Sequence, residues 1–139
     1  EWVPLKDDQL MAILPPTHPL VEADRFPVER LRQEPFIEFL PGQETDNSRM
    51  LQQLQIRPKV RFATSDSRAA IAMVRAGLGI TLLNGILTAD LADGVAVLPL
   101  DPPQSVHLGI ALPEEEHVSP AAKRFITYAL DRLPELDVL

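Results

Sequence analysis

The 139-residue sequence contains no cysteine, which excludes disulfide bonds, thiolate nucleophiles and thiolate-bound metals together. A chain without cysteine suits a reducing compartment, and we expect a cytoplasmic protein. The sequence also lacks any run of about 18 apolar residues, so we expect no membrane-spanning helix. It begins at Glu1 without an initiator methionine or a basic and apolar leader, which indicates a piece of a longer chain and no secretory signal.

Basic residues are in the minority. The sequence has 13 Lys and Arg residues against 20 Asp and Glu residues, which gives a formal net charge of −7. Binding to DNA or RNA depends on clustered Lys and Arg side chains that neutralise phosphates. We therefore expect that this chain alone does not bind nucleic acid.

Side chains that commonly carry catalysis are scarce and scattered. His18, His107 and His117 show no metal-ligand spacing, and no serine lies in a G-x-S-x-G motif. We interpret His18, which lies in a proline-rich turn, as hydrogen-bonded to the local backbone. The sequence predicts no catalytic centre, no metal site and no cofactor.

What the sequence does contain is a regular alternation of strand and helix patterns. Apolar runs predict strands at 9–14, 36–40, 59–63, 79–83, 95–100 and 106–112. Amphipathic stretches predict helices at 26–33, around Met50 and Leu54, and at 67–76, 85–93 and 119–133. In the strand 59–63, we expect Val60 and Phe62 to point inward. The alternation predicts an α/β layer with a largely parallel sheet.

The segment MVRAGLGITLLN (73–84) contains a Gly-x-Gly, which is half of a dinucleotide-binding fingerprint. In such a site the glycines follow a strand and open a helix, whereas here they follow a helix and precede a strand. We interpret Gly77 as the left-handed residue that ends the helix, and Gly79 as a tight turn into the buried strand. The motif therefore predicts a structural junction and not a nucleotide site.

Polar loops at 41–49, 64–67 and 84–85 each follow a predicted strand and precede a helix. In an open α/β sheet such loops lie outside the carboxyl ends of the strands, where ligands bind, and helix N-termini favour an anionic or polar group. A second interpretation stays open: Thr45, Asp46 and Ser65 only cap the helices that follow them. The candidate ligand-binding residues are Gln43, Thr45, Asn47, Arg49, Thr64, Ser65 and Asn84.

The segments LPPTHPL, RLRQEPFIEF, MVRAGLGITLL, VAVLPL and SPAAKRFITYAL, in this order, resemble the effector-binding domain of LysR-type transcriptional regulators. The resemblance runs over essentially the whole chain. It implies an α/β fold like the type 2 periplasmic binding proteins, which have two lobes and a small-molecule cleft between them. Where the family usually has a proline after the GITLL strand, this chain has Asn84 and Gly85.

By this resemblance, residues 1–14 are a hinge-crossing strand and residues 15–100 form one complete Rossmann-like lobe, the second. Residues 101–139 are then the return strand and C-terminal helix of the first lobe. The resemblance also implies a small-molecule effector, self-association into dimers or tetramers, and no contact with membranes. DNA binding would be supplied by an N-terminal winged helix-turn-helix that this sequence does not include.

Two functions from different classes fit these observations. The leading hypothesis is the effector-sensing domain of a cytoplasmic transcriptional regulator, and the alternative is a solute-binding domain of related fold that serves transport. A basic helix-turn-helix upstream of Glu1 would favour the regulator, and a signal peptide there would favour transport. An enzyme is the third and least expected class, because a fold alone excludes no activity.

Overall fold

A computed structural model of the chain describes residues 1–114 and 117–133. Strands and helices alternate along most of it, with a 3₁₀ helix (Val28–Arg32) after the second strand. The strands are β1 (Trp2–Leu14), β2 (Phe26–Pro27), β3 (Pro35–Phe39), β4 (Lys59–Thr64), β5 (Thr81–Asn84), β6 (Ala96–Asp101) and β7 (Ser105–Ala111). The helices are α1 (Asp46–Gln53), α2 (Ser67–Arg75), α3 (Gly85–Thr88) and α4 (Pro120–Arg132).

Along the path of four neighbouring strands in the main sheet, β1 alone runs against the others. The strand order is β2-β6-β1-β5, with β2 parallel to β6 and with β1 antiparallel to both β5 and β6. Next to β5 lies the parallel pair β3–β4, since the Ile37 N–H donates to the Ile80 carbonyl over 2.8 Å and Phe36 forms a parallel bridge to Ile80. The predicted α/β class is confirmed, but the sheet is mixed and not largely parallel, because β1 runs antiparallel between β5 and β6.

The chain divides into two compact units. The larger unit is Gln9–Val106, and it contains all the parallel strands together with α1, α2 and α3. The smaller unit joins Glu1–Asp8 to His107–Leu139, of which residues 115–116 and 134–139 lie outside the described residues. The division into a hinge strand (1–14), a second lobe (15–100) and a return segment (101–139) remains a prediction.

An apolar cluster under α2 holds the larger unit together. Ile71 and Val74 project from α2 onto Ile37 and Leu83 of the sheet, and all four side chains are almost fully buried. Burying each such side chain contributes roughly 1.5–3 kcal/mol. The β5 strand is buried on both faces, and its Thr81 hydroxyl donates to the Ile37 carbonyl over 2.7 Å. The strand predicted at 79–83 is therefore confirmed as a buried one.

The two glycines between α2 and β5 are structural, as predicted. Gly77 has φ +81°, its N–H donates to the Val74 carbonyl (2.9 Å), and the next N–H donates to the Met73 carbonyl (3.1 Å). This pair of bonds is a Schellman motif, which satisfies the last carbonyls of α2. At Gly79 an added Cβ would lie 2.5 Å from the Pro35 carbonyl oxygen, so the close approach of β3 requires glycine there.

The prediction that Val60 and Phe62 point inward was wrong. In the β3–β4 ladder, Phe36 pairs with Val60 but Ile37 pairs with Phe62, so Arg61 is an extra residue in a bulge. Because paired residues share a face and one extra residue reverses the alternation, Val60 and Phe62 lie on opposite faces of the sheet. Both remain exposed, at 48% and 43%, because β4 is an edge strand.

Other boundaries differ from the sequence predictions. β1 begins at Trp2 and not near residue 9, the segment 26–33 forms a short strand and a 3₁₀ helix, and α3 covers four residues of the expected 85–93. The helix α4 begins as predicted, with the Ser119 hydroxyl accepting from the Ala122 N–H over 3.2 Å. Within the described residues, no helix combines the length and the hydrophobicity that crossing a membrane requires.

Candidate functional site

The carboxyl ends of β3, β4 and β5 meet at one edge of the sheet. Phe39 pairs with Thr64 at the end of the β3–β4 ladder, and the Leu40 N–H donates to the Thr64 carbonyl over 2.9 Å. Since β3 is parallel to β5 as well, Asn84 ends its strand at the same edge. The three polar loops identified in the sequence therefore leave the sheet at one edge.

Thr45 begins α1 as its N-cap. The Thr45 Oγ1 accepts from the Ser48 N–H over 3.1 Å, and the Ser48 Oγ accepts in return from the Thr45 N–H over 2.8 Å. This reciprocal capping box satisfies two donors at the helix start. The predicted capping role of Thr45 is confirmed, and its hydroxyl is already engaged by the helix.

Ser65 does not cap α2, contrary to the capping interpretation. The cap is Asp66, whose Oδ1 accepts from the Ala69 N–H over 3.0 Å, while the Asp66 N–H donates to the Thr64 Oγ1 over 3.2 Å. A carboxylate is as good an N-cap as a hydroxyl and also suits the positive end of the helix dipole. Ser65 is left exposed, with no hydrogen bond to the described part of the chain.

Asn47 is buried at the start of α1 with one polar atom unsatisfied. Its Nδ2 donates to the Leu82 carbonyl over 2.8 Å, which assigns the amide orientation, because the oxygen could not take that place next to a carbonyl. Its Oδ1 is fully buried and has no donor within the described residues. An unsatisfied buried acceptor costs about 1–3 kcal/mol.

A cavity of about 270 Å³ lies between α1 and the β3–β4 pair. It brings together three of the predicted site residues, Gln43, Thr45 and Asn47, with Glu38 and Leu40. Apolar side chains from β3, α1 and β4 complete the wall: Phe36, Leu51, Ile56 and Val60. An apolar cavity with a few polar groups is the usual form of a small-molecule site.

The other predicted residues lie outside this cavity. Arg49 pairs with Glu44 (3.0 Å) and Asp46 (3.6 Å), and it lines a second, smaller cavity of about 150 Å³ near β1. Thr64, Ser65 and Asn84 line neither of these two cavities. Asn84 occupies the N-cap position of α3 without making a side-chain cap bond.

Glu38 and Leu40 were missed by the sequence analysis. Glu38 is half-buried, and its carboxylate has no hydrogen bond or ion pair with the described residues. Leu40 has φ +55°, a left-handed conformation that costs a residue with a Cβ roughly 1–2 kcal/mol. A carboxylate inside the apolar strand FIEFL was a signal available in the sequence, because strands buried on both faces are otherwise apolar. Across the described ranges, no cluster of three acidic or histidine side chains could hold a metal ion.

A sheet in which one strand runs antiparallel to its neighbours, with polar loops at the carboxyl edge of the other strands, agrees with an α/β domain of the type 2 periplasmic-binding-protein class. The profile of the LysR substrate binding domain family matches residues 1–134. The chain belongs to this family.

Individual proteins resemble the chain in sequence or in fold. The chain is 29% identical over 131 residues to YvbU, an uncharacterised HTH-type transcriptional regulator of Bacillus subtilis, and this match covers 93% of the chain and 45% of YvbU. It resembles the effector binding domain of QuiR in complex with shikimate, with a TM-score of 0.80 and 23% identity over 97% of this chain and 66% of that one.

A second solved structure is the C-terminal domain of a probable LysR family transcriptional regulator from Rhodococcus sp. RHA1. The TM-score is 0.76 with 27% identity, and the match covers 92% of this chain and 66% of that chain. The chain spans about half the length of the curated relatives that it matches.

Proposed function

We propose that this chain is the effector-sensing and self-association domain of a LysR-type transcriptional regulator. The observation that carries the proposal is the family match over residues 1–134, on a fold whose polar loops gather at one sheet edge. In the regulator, a small-molecule effector binds this domain and shifts its conformational equilibrium, which changes transcription. The domain carries out no catalytic step.

The partners follow from the same family assignment. DNA is bound by a helix-turn-helix elsewhere in the longer protein, which agrees with the HTH-type name of YvbU and with the net charge of −7 here. The domain pairs with further copies of itself to give dimers or tetramers, and the regulator works in the cytoplasm. The transport alternative is not favoured, because the matched relatives are transcriptional regulators.

The effector contacts at the sheet edge are the seven residues named from the sequence. They differ in whether their side-chain polar groups are already engaged in hydrogen bonds within the chain. Gln43, Ser65 and Asn84 have polar side chains with no hydrogen bond to the described residues, whereas the hydroxyls of Thr45 and Thr64 accept backbone N–H groups. Asp66 already places a carboxylate at the α2 N-terminus, which opposes an anion there. We therefore propose a polar effector group at this point and not a strongly anionic one.

The matched pair Ser65→Ala and Asp66→Ala tests the site in the full-length regulator. Ser65→Ala removes an exposed hydroxyl, so we expect unchanged thermal stability and a dose-response curve for transcription displaced to higher effector concentration. Asp66→Ala removes the cap and should lower the free energy of unfolding by about 1 kcal/mol. An unchanged dose-response in Ser65→Ala would exclude Ser65 as a ligand contact.

The effector for that measurement comes from a thermal-shift screen of metabolites against the 139-residue chain. A metabolite that stabilises the chain should also change reporter transcription by the full-length regulator. If it instead changed solute uptake and left transcription unaltered, the transport alternative would replace the proposed function.

A further inference from the structure

We propose that the cavity between α1 and the β3–β4 pair binds a small molecule with a protonated amine on an apolar body. The inference names a ligand chemistry for the proposed effector-binding function, on which it rests. It depends on two hydrogen-bond acceptors without donors, an apolar wall, and the position of the two charged residues that line the cavity.

The first acceptor is the Glu38 carboxylate. It projects from β3 on the face that also carries Phe36, so it faces α1 across the cavity. It is half-buried, and within the described residues no Lys, Arg or His forms an ion pair with it. A carboxylate held partly out of water without a partner gains free energy from a cation more readily than an exposed one does.

The second acceptor is the Asn47 Oδ1. The Asn47 residue is 7% exposed, its Nδ2 donates to the Leu82 carbonyl, and its Oδ1 has no donor in the described part of the chain. This oxygen is closed off from water, so a ligand donor reaches it only when the cavity wall rearranges. Glu38 is therefore the primary contact and Asn47 the secondary one.

The remaining wall selects an apolar body. The side chains of Phe36, Leu51, Ile56 and Val60 line the cavity, and its volume of about 270 Å³ exceeds that of one aromatic ring. Ile56 and Phe36 are buried and hold their positions, while Val60 is exposed at the edge strand and marks the open side. Leu40, held in its left-handed conformation, lines the same cavity beside Glu38.

Charge decides between an amine and a carboxylate as the ligand head group. Glu38 and Arg57 are the charged residues in the lining. Arg57 is exposed, so its long side chain stays hydrated and contributes a screened interaction, whereas Glu38 is partly desolvated. The Glu38 carboxylate and the Asn47 Oδ1 are both acceptors, and an amine offers three donors where a carboxylate offers none. The net charge of −7 also favours the approach of a cation.

Three probes with one benzyl body test this chemistry on the isotope-labelled 139-residue chain: benzylammonium, benzyl alcohol and phenylacetate. Titrations follow the backbone amides of Glu38 and Ser48 and the side-chain amide of Asn47 by NMR. We expect benzylammonium to saturate these signals at the lowest concentration, benzyl alcohol at a higher one, and phenylacetate to leave them unmoved. The proposal would be overturned if phenylacetate bound as tightly as benzylammonium, or if none of the three probes bound.

Glu38→Gln keeps the shape of the side chain and removes its charge. It should lower the affinity for benzylammonium by about tenfold, which is the loss expected for a charge-assisted hydrogen bond. The affinity for benzyl alcohol should change by less than about twofold. The matched control is Glu22→Gln, an equal charge change at an exposed turn, which should alter neither affinity. Equal affinities of Glu38→Gln and the unaltered chain for benzylammonium would contradict the inference.

A second variant protects the test against a folding failure. Val60→Trp places a large ring at the exposed, open side of the cavity and should abolish the binding of benzylammonium and benzyl alcohol alike. Undiminished binding to this variant would place the probes elsewhere and overturn the proposal. The two proposals can fail separately. If all three probes fail but a metabolite stabilises the chain and changes transcription, the amine site is rejected and the proposed function stands. If benzylammonium binds but no transcriptional response is found, the proposed function is rejected and the amine site stands.

Discussion

At the scale of single residues, His18 links a turn to the segment before β3. Its Nδ1 accepts from the Leu20 N–H over 3.1 Å, and its Nε2 lies 2.9 Å from the Glu34 Oε1. Because Nδ1 accepts a backbone N–H, the ring proton is on Nε2 and is donated to the carboxylate. The local backbone bond expected from the sequence is confirmed, and the longer-range partner Glu34 was not foreseen.

Two histidine–carboxylate pairs lie among the described residues, and they should differ in their contribution to stability. His18 is buried, so His18→Ala leaves the Leu20 N–H without its acceptor and should lower the free energy of unfolding by about 1–3 kcal/mol. His107, whose side chain is 70% exposed and lies 2.7 Å from Asp7, serves as the control, and His107→Ala should cost less than about 1 kcal/mol. Urea unfolding measures both, and equal losses would contradict the argument from burial.

At the scale of elements, α1 and α2 end in the same way with different residues. In α1 the left-handed position is Gln55, with φ +53°, and the N–H groups of Gln55 and Ile56 donate to the carbonyls of Gln52 and Leu51. In α2 the equivalent position is Gly77. Both ends are Schellman motifs. Introducing glycine at one end and removing it from the other therefore measures the free energy that a Cβ costs in the left-handed conformation.

Gln55→Gly should raise the free energy of unfolding by up to about 1 kcal/mol, and Gly77→Val should lower it by about 1–2 kcal/mol. No atom lies within 4 Å of a Cβ built at Gly77, so the loss would come from the backbone conformation and not from a clash. Gly77→Asn is the control, because asparagine tolerates the left-handed region. It should lower the free energy of unfolding by less than Gly77→Val does. Guanidinium unfolding gives the three values, and a Gly77→Val chain as stable as the original would exclude the assigned conformation.

At the scale of the whole molecule, charge predicts that this chain alone has no specific affinity for DNA. Its basic groups include a short run on and before β4 (Arg57, Lys59, Arg61), but the net charge is −7. Because a net negative charge opposes the approach of DNA phosphates, we expect fluorescence anisotropy at low salt to give binding no tighter than about 10⁻⁴ M. Tight binding to a DNA fragment from the regulated promoter would contradict this expectation.

By itself the sequence determined the features that depend on near neighbours. The alternation of apolar runs and helical stripes predicted the α/β class, and Thr45, Ser119 and Gly77 marked helix ends, because capping and left-handed backbone involve residues within one turn. The order of strands and helices also placed the polar loops at one edge, since parallel strands end together.

The tertiary structure alone decided which distant groups meet. The bulge at Arg61 places Val60 and Phe62 on opposite faces of the sheet. Asp66 caps α2, and Glu38 and Asn47 line the same cavity. Strand register and cavity shape arise from pairing between segments far apart in the chain, and a shift of one residue exchanges the faces of a strand. Local sequence patterns carry no information about that register. Only the fold therefore shows that one cavity is lined by Gln43, Thr45 and Asn47, and that Arg49 and Ser65 lie outside it.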